Sequence, residues 1–466
     1  MPPSMVGESA AGTLRRQVVR LALPAVGEQL LTLMVGIVNT MLVGHLGAEA
    51  LTAVGLSSTI AGMAHIFISA VGTGTTAMVA QAVGAGNRPL AERFLEQAVM
   101  VALGLGLLVA IILFPLARGA LVLMGAEGAT VGMGATYLRC IAASLPFSVL
   151  MFVGNAALRG SGDTRSPMIV MSGVNLLNLL LSYGLIRGVG PLPELGVTGA
   201  GVAAATSTAA GGMVVLAALL SGRAGLRLSR LVNRPDRQVL TSLLRIGLPA
   251  GGESLLMHGA FLAYQRSISS LGTVAYAAYI IAQRIESLNS MPAMGFAIAS
   301  TTLSGQAIGA GDPARARRSV FASLQLALCL AAVCATLSFT MPRFLLERFT
   351  QEPDVIAQGI APLRVVAFAQ PLMAIAFSLS GGLRGAGDTR SPMTITGIGS
   401  WCVRVPLAVL AVTVFDLGLA GVQASMMLDW LVRCILLGWR FRPAAWQQRT
   451  AKLSGELATA AANRAP

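Results

Sequence analysis

Three stretches of this chain, Val99–Leu116, Val197–Leu220 and Val320–Met341, contain no charged residue. Each is long enough for a helix across a hydrocarbon core of about 30 Å. The rest of the chain agrees with them. It is 55% apolar and 11% charged, whereas a soluble domain needs roughly 25% charged residues to cover its surface. Most of the exterior therefore meets lipid rather than water.

Lys and Arg exceed Asp and Glu, 33 to 19, but the excess is placed as a topology signal rather than as a nucleic-acid stripe. Lys452 is the one lysine, and it lies in the tail outside any GxxxxGK[ST] loop, which removes a Walker A nucleotide site. Cys140, Cys329, Cys334, Cys402 and Cys434 sit in apolar segments without CxxC spacing and read as small packed hydrophobes, not metal ligands or disulfides. After Arg15, Arg16 and Arg20, the span Leu21–Gly44 is charged only at Glu28. That span is too long for a signal-peptide core and reads as a retained first helix.

Hydropathy predicts an all-α polytopic membrane protein with twelve transmembrane helices, from about 20–43 to about 417–440. An even count puts both termini on one side. If that side is the cytoplasm, the inner segments gain Arg15, Arg16, Arg20, Arg88, Arg93, the run Arg223–Arg245, Arg315, Arg317, Arg318 and the arginines near 440. The outer segments keep far fewer, including Arg118, Arg187, Arg343 and Arg348. The positive-inside rule favours this orientation, a cell (inner) membrane protein with both termini cytoplasmic.

The chain is also duplicated. LRGSGDTRSPM (158–168) recurs as LRGAGDTRSPM (383–393), 225 residues on. LALPAVGEQLL (21–31) matches IGLPAGGESLL (246–256), and QAVGAGN (81–87) matches QAIGAGD (306–312), in the same register. This is a repeated six-helix unit. Because six is even, both copies insert the same way up, about an axis along the membrane normal. The predicted organisation is an N-terminal tail 1–19, a first lobe 20–221, a basic linker 222–240, a second lobe 241–440 and a C-terminal tail 441–466.

The twinned motif falls on the cytoplasmic turn between helices four and five of each half. Its glycines permit a tight turn, and Pro167 and Pro392 suit the first turn of the next helix. Asp163 and Asp388 can satisfy free backbone amides there, while Arg159, Arg165, Arg384 and Arg390 are expected to meet lipid phosphates or those aspartates. The expected role is a cytoplasmic hinge.

PxxxE at the start of helices one and seven, the QxxGAG turns and the paired RGxGDT turns, in order and in duplicate, resemble the multidrug and toxic compound extrusion (MATE) transporters over roughly residues 15–440. The resemblance implies two six-helix lobes forming a V-shaped central cavity. It also implies secondary export of organic, often cationic, small-molecule substrates against an inward flow of H+ or Na+, with no cofactor, metal or nucleotide. A monomer is the expectation. The alternative on the same plan is a flippase for lipids or lipid-linked precursors, which would need a cavity lined with arginines for phosphates. An enzyme would need clustered catalytic residues at one depth, such as HExxH, and none is present.

A charge inside a span costs at least about 2.5–3.5 kcal/mol, so each one needs a reason. Glu28 and Glu253 hold equivalent places, four residues after Pro24 and Pro249 and roughly 12 Å along the helix from its cytoplasmic edge. Proline removes a backbone hydrogen bond and bends the helix. A carboxyl beside such a bend can be neutral when dry and ionised when wet, as ion coupling requires. Both are coupling candidates.

At about 100° per residue, Thr32 and Asn39 share the stripe of Glu28, and Asn175, Asn178 and Ser182 form another on the fifth helix. These stripes are expected to line a substrate cavity, as are Met257 and Tyr264 on the face of Glu253. Many relatives with a proton site in the first lobe have aspartates where this chain has Asn39 and Ser182, and neither replacement titrates. Some relatives also carry an aspartate in helix ten, where Pro362–Leu383 has only Arg364 and Gln370 as polar candidates. Arg404 and Asp429 lie at similar depths on either side of the turn near Gly418, which predicts an intramembrane ion pair. His65 reads as a hydrogen-bonded core histidine, and Arg284 with Glu286 resembles a charged site common in the family.

Overall fold

The structure, a computed structural model, describes residues 3–188, 193–222, 225–229, 235–444 and 446–447, with side chains from Gly12 onward. Residues 223–224 and 230–234 of the expected linker, and 1–2 and 448–466 of the expected tails, lie outside the described residues.

The described chain is helical from end to end. Nine long helices come first: α1 (Pro3–Gly44), α2 (Ala48–Gly84), α3 (Arg88–Leu123), α4 (Ala129–Ser161), α5 (Arg165–Arg187), α6 (Gly196–Ser221), α7 (Arg237–Ser269), α8 (Thr273–Gly309) and α9 (Pro313–Thr340). A short α10 (Pro342–Glu347), which hydropathy did not predict, precedes α11 (Pro353–Gly385). The next span is broken into α12 (Arg390–Gly397), a π-helical segment (Ile398–Arg404) and α13 (Val405–Thr413), and α14 (Gly418–Arg440) closes the series. With the broken helix counted once and α10 set aside, these are twelve spans in two six-helix repeats. Ten are long and apolar enough to cross a membrane on composition alone among the described residues. The two that fall short, α7 and α8, carry Arg245, Glu253, Arg266, Arg284 and Glu286.

The helix ends repeat as the sequence does. Asn87 accepts from the Leu90 amide at the start of α3, and Asp312, its equivalent, accepts from the Arg315 amide at the start of α9. Each is followed by a proline within the first two helical positions, where the missing N–H costs nothing.

Packing divides the chain into two compact units, and the division does not follow the linker. One unit holds α1 up to Val26, Gly84–Gly86 and the described chain from Pro249; the other holds Gly27–Val83 and Asn87–Leu248. The chain thus changes unit within α1 and at Leu248–Pro249 within α7, next to Pro24 and Pro249, the prolines inside these two helices, where a ring interrupts the backbone ladder. One core is built on α8, α9, α11 and α14 around Tyr264, Tyr279, Met373 and Trp430. The other is built on α2, α3, α4 and α6 around Phe94, Leu95, Val149 and Leu219.

Small residues set the helix spacing in each core. A Cβ on Gly160 of α4 would fall 2.7 Å from the Thr76 carbonyl of α2, and a Cβ on its equivalent Gly385 of α11 would fall 2.2 Å from the Thr301 carbonyl of α8. The same threonines donate across the contact, Thr76 to the Ala156 carbonyl and Thr301 to the Gly381 carbonyl, both at 3.0 Å. Close backbones and threonine bridges are what hold helices together where lipid removes the hydrophobic drive.

Candidate functional site

Gly160 and Gly385 seat the helix end against its neighbour, as above. Gly162 and Gly387 adopt φ of 97° and 88°, the left-handed turn that ends α4 and α11 at little cost for glycine. Asp163 then accepts from the Arg165 and Ser166 amides and from the Ser166 hydroxyl, and Asp388 accepts from the Ser391 amide and hydroxyl. Arg165 and Arg390 are exposed at the start of the following helices.

Arg159 and Arg384 go elsewhere than expected. Arg159 is 9% exposed, and its Nη1 donates to Glu28 Oε1 at 2.7 Å. Arg384 Nη2 donates to both oxygens of Glu253 at 2.8 Å. Both links span the same 131 residues. The arginine of each twinned motif therefore pairs with the carboxylate of its own half. A signal for this was present in the sequence, because the glutamates and the arginines share one offset.

The two pairs differ in what surrounds them. Glu28 is 5% exposed, and its Oε2 is buried without a hydrogen-bond partner among the described residues. Glu253 is better supplied: the Thr396 hydroxyl donates to Oε1 at 3.0 Å. Thr396 in turn lies 3.5 Å from Arg433 Nη1, and Arg433 holds Asp429 through Nε at 2.6 Å and Nη2 at 2.8 Å. Arg404 Nη2 reaches Asp429 Oδ2, the oxygen that Arg433 Nη2 also holds, at 2.8 Å, and Ser400 accepts from Arg433 at 2.7 Å. One polar chain thus runs from Arg384 through Glu253, Thr396 and Arg433 to Asp429 and Arg404. It ties α7, α11, the broken helix and α14 together. Pairing offsets the cost of carrying these charges across lipid.

The π-helical segment belongs to this cluster. It runs past Asp429 at Gly399, where a Cβ would lie 2.1 Å from Oδ1 and 2.9 Å from Arg433 Nε. π-Helical segments inside α-helices are rare and frequently mark functional sites. Pro406 follows directly and lacks the N–H that an uninterrupted ladder would use.

The residues expected on a cavity wall are distributed unevenly. Asn39 and Asn175 are half-buried, Ser182 is buried, and Asn39 Oδ1, Asn175 Nδ2 and Ser182 Oγ have no protein partner among the described residues. Thr32 is exposed and its hydroxyl is returned to the Glu28 carbonyl of its own helix. Asn178 is 4% exposed and donates to Ser207 of α6 at 3.3 Å. Tyr264 is a correction. It is 1% exposed, with its hydroxyl on Gln423 Oε1 at 2.7 Å and the Val422 carbonyl at 3.1 Å, so it is core rather than wall. Met257 is half-buried with its sulfur 3.9 Å from Arg433. His65 packs edge-on against Phe152 at 4.8 Å, Gln370 is buried and donates to Ser338, and Arg284 is exposed.

The MatE family model matches residues 24–184 and 249–410, more than half of the chain, and each match begins at the proline four residues before Glu28 or Glu253. This chain belongs to the MatE family. It is 33% identical over 438 residues to the "Probable multidrug resistance protein NorM" of Thermotoga maritima, covering 94% of each chain. It is 30% identical over 398 residues to the "Multidrug resistance protein PmpM" of Pseudomonas aeruginosa, covering 84% of this chain and 83% of that one. Among solved structures, the crystal structure of MATE in complex with MaD3S shares the fold at a TM-score of 0.87 and 23% identity, over 95% of this chain and 97% of that one. As a MATE protein it is a multi-pass membrane transporter and not an enzyme.

Proposed function

We propose that this protein is a secondary active exporter of organic, cationic or amphipathic compounds, driven by inward H+ or Na+. The observation that carries the reading is the pair of buried carboxylates, Glu28 and Glu253, each bonded to an arginine inside an otherwise apolar span. A carboxylate in that position can exchange one positive partner for another, which is what antiport asks of it. Cationic substrate and coupling ion then compete for the same group. Membership of the family and relatives named as multidrug resistance proteins support the substrate class.

Glu253 is the principal coupling residue in this reading. It touches a second, charged cluster through Thr396, and its arginine side chain is 26% exposed against 10% for Arg159. Water and ions therefore reach the Glu253 pair more readily. In the other unit, the unpartnered atoms of Asn39, Asn175 and Ser182 supply polar contacts for substrate, and neither Asn39 nor Ser182 titrates. The flippase alternative is not favoured, because Arg159, Arg384, Arg404 and Arg433 each already hold a carboxylate. The arginine distribution supports a cell-membrane location with both termini cytoplasmic.

The test is efflux of a fluorescent cationic dye from proteoliposomes, with pH and Na+ gradients imposed separately. One gradient should drive efflux in the wild type, and Glu253→Gln should abolish that drive while the protein remains folded and inserted. Efflux independent of either gradient would sink the antiport reading. Wild-type gradient dependence in Glu253→Gln would move the coupling elsewhere.

A further inference from the structure

α1 and α9 enclose a groove of about 850 Å3 whose lining includes Arg15, Arg315, Arg317 and Arg318. Among the described residues no carboxylate pairs with any of the four. Arg15 Nη2 donates to the neutral Gln325 at 3.3 Å, and Arg317 donates to the Phe441 carbonyl at 3.2 Å. The nearest acid in sequence, Asp312, is committed to capping α9 through the Arg315 amide. Four positive charges thus share one concavity with no carboxylate partner among the described residues, on helices some 300 residues apart in the chain.

The groove's position and lining narrow what could neutralise it. The uncharged run of α9 begins at Val320 and the apolar span of α1 at Leu21, so the arginines sit about one turn outside the apolar spans, the level of lipid headgroups. The lining also contains Leu14, Phe321 and Ala322, which suit the glycerol and first acyl carbons, while Gln17 and Gln325 add polar groups beside the charges. The volume is that of a site for a molecule of many atoms, well beyond a single phosphate ion. Arginine's planar fork matches phosphate oxygens.

We infer that this groove is a binding site for the phosphate-bearing headgroup of an anionic phospholipid. The lipid bridges Arg15 of α1 to the start of α9 and supplies a counter-charge that the described residues do not. The site is independent of the ion-coupling glutamates and does not rest on the transport reading.

The test is native mass spectrometry of the full-length protein in detergent, titrated with phosphatidylglycerol, with phosphatidylcholine as the zwitterionic control. Wild-type protein should retain phosphatidylglycerol saturably and in preference to phosphatidylcholine. Arg315→Gln with Arg318→Gln should weaken retention, by about fivefold per arginine removed. Both side chains are exposed, so the double variant is expected to fold. Arg16→Gln with Arg20→Gln removes the same charge from exposed positions outside the groove and should leave retention unchanged. Equal weakening in both double variants would reduce the effect to general attraction and overturn the site. Displacement of the lipid by millimolar inorganic phosphate, with the same dependence on Arg315 and Arg318, would assign the groove to a soluble phosphate and overturn the lipid. Absence of saturable binding would overturn both.

Discussion

Gly399 lies so close to Asp429 that a Cβ at Gly399 would sit 2.1 Å from the carboxylate Oδ1. The backbone of the π-helical segment therefore forms one wall of the charged cluster, and no other residue fits there. Gly399→Ala must push Asp429 or the segment away, loosening the contacts to Arg433 and Arg404. Overpacking of this kind costs about 1–3 kcal/mol. The variant should show a lowered Tm in detergent, whereas Gly438→Ala, with open space around its Cβ, should not. Equal melting of the two would show that the close approach carries no stability.

The capping aspartates make a second prediction. Asp163 and Asp388 satisfy the first amides of α5 and α12 in the same way. Asp163→Ala and Asp388→Ala should each cost about 0.5–2 kcal/mol and lower transport by similar factors, leaving substrate preference unchanged. Dye-panel efflux measures this. A changed ranking of dyes in either variant would mean that the turn contacts substrate.

Much of this could be read before any coordinates. The uncharged runs fix the spans, the offset fixes the repeat, and counting residues from the turn near Gly418 places Arg404 level with Asp429. What periodicity cannot show is which helix lies opposite a given face. Arg159 was therefore legible as part of the twinned turn but not as the partner of Glu28, 131 residues away. The π-helical segment depends on a cluster assembled from four helices, so no local propensity announces it. Tyr264 shares the face of Glu253 on the helical wheel, yet α14 covers it with Gln423. The change of packing unit at Val26 and at Pro249 was invisible to a repeat whose seam lies in the linker.

Topology is checked by labelling. In a background without the five native cysteines, a cysteine at Ser229 should resist an impermeant thiol reagent in intact cells, and one at Glu194 should react. Both positions are exposed, so burial does not mask the answer. Reaction at Ser229 from outside would invert the orientation.

The two glutamate–arginine pairs allow structure and coupling to be separated. Removing one partner of either leaves a buried charge without its counter-ion, which costs about 3–5 kcal/mol. Arg159→Ala and Arg384→Ala should therefore both lower Tm, and Arg159→Ala by more, because its side chain is 10% exposed against 26%. Exchanging the partners keeps the pair but moves the carboxyl to the other helix. Glu28→Arg with Arg159→Glu should regain most of the lost stability and a good part of the gradient-driven efflux. Glu253→Arg with Arg384→Glu should regain stability but not efflux, since the carboxyl then leaves the reach of Thr396 and stands on α11 rather than beside Pro249. The readouts are Tm and dye efflux in the same preparations. Full efflux in the second exchange would show that the Glu253–Arg384 pair is structural, with the coupling ion bound elsewhere.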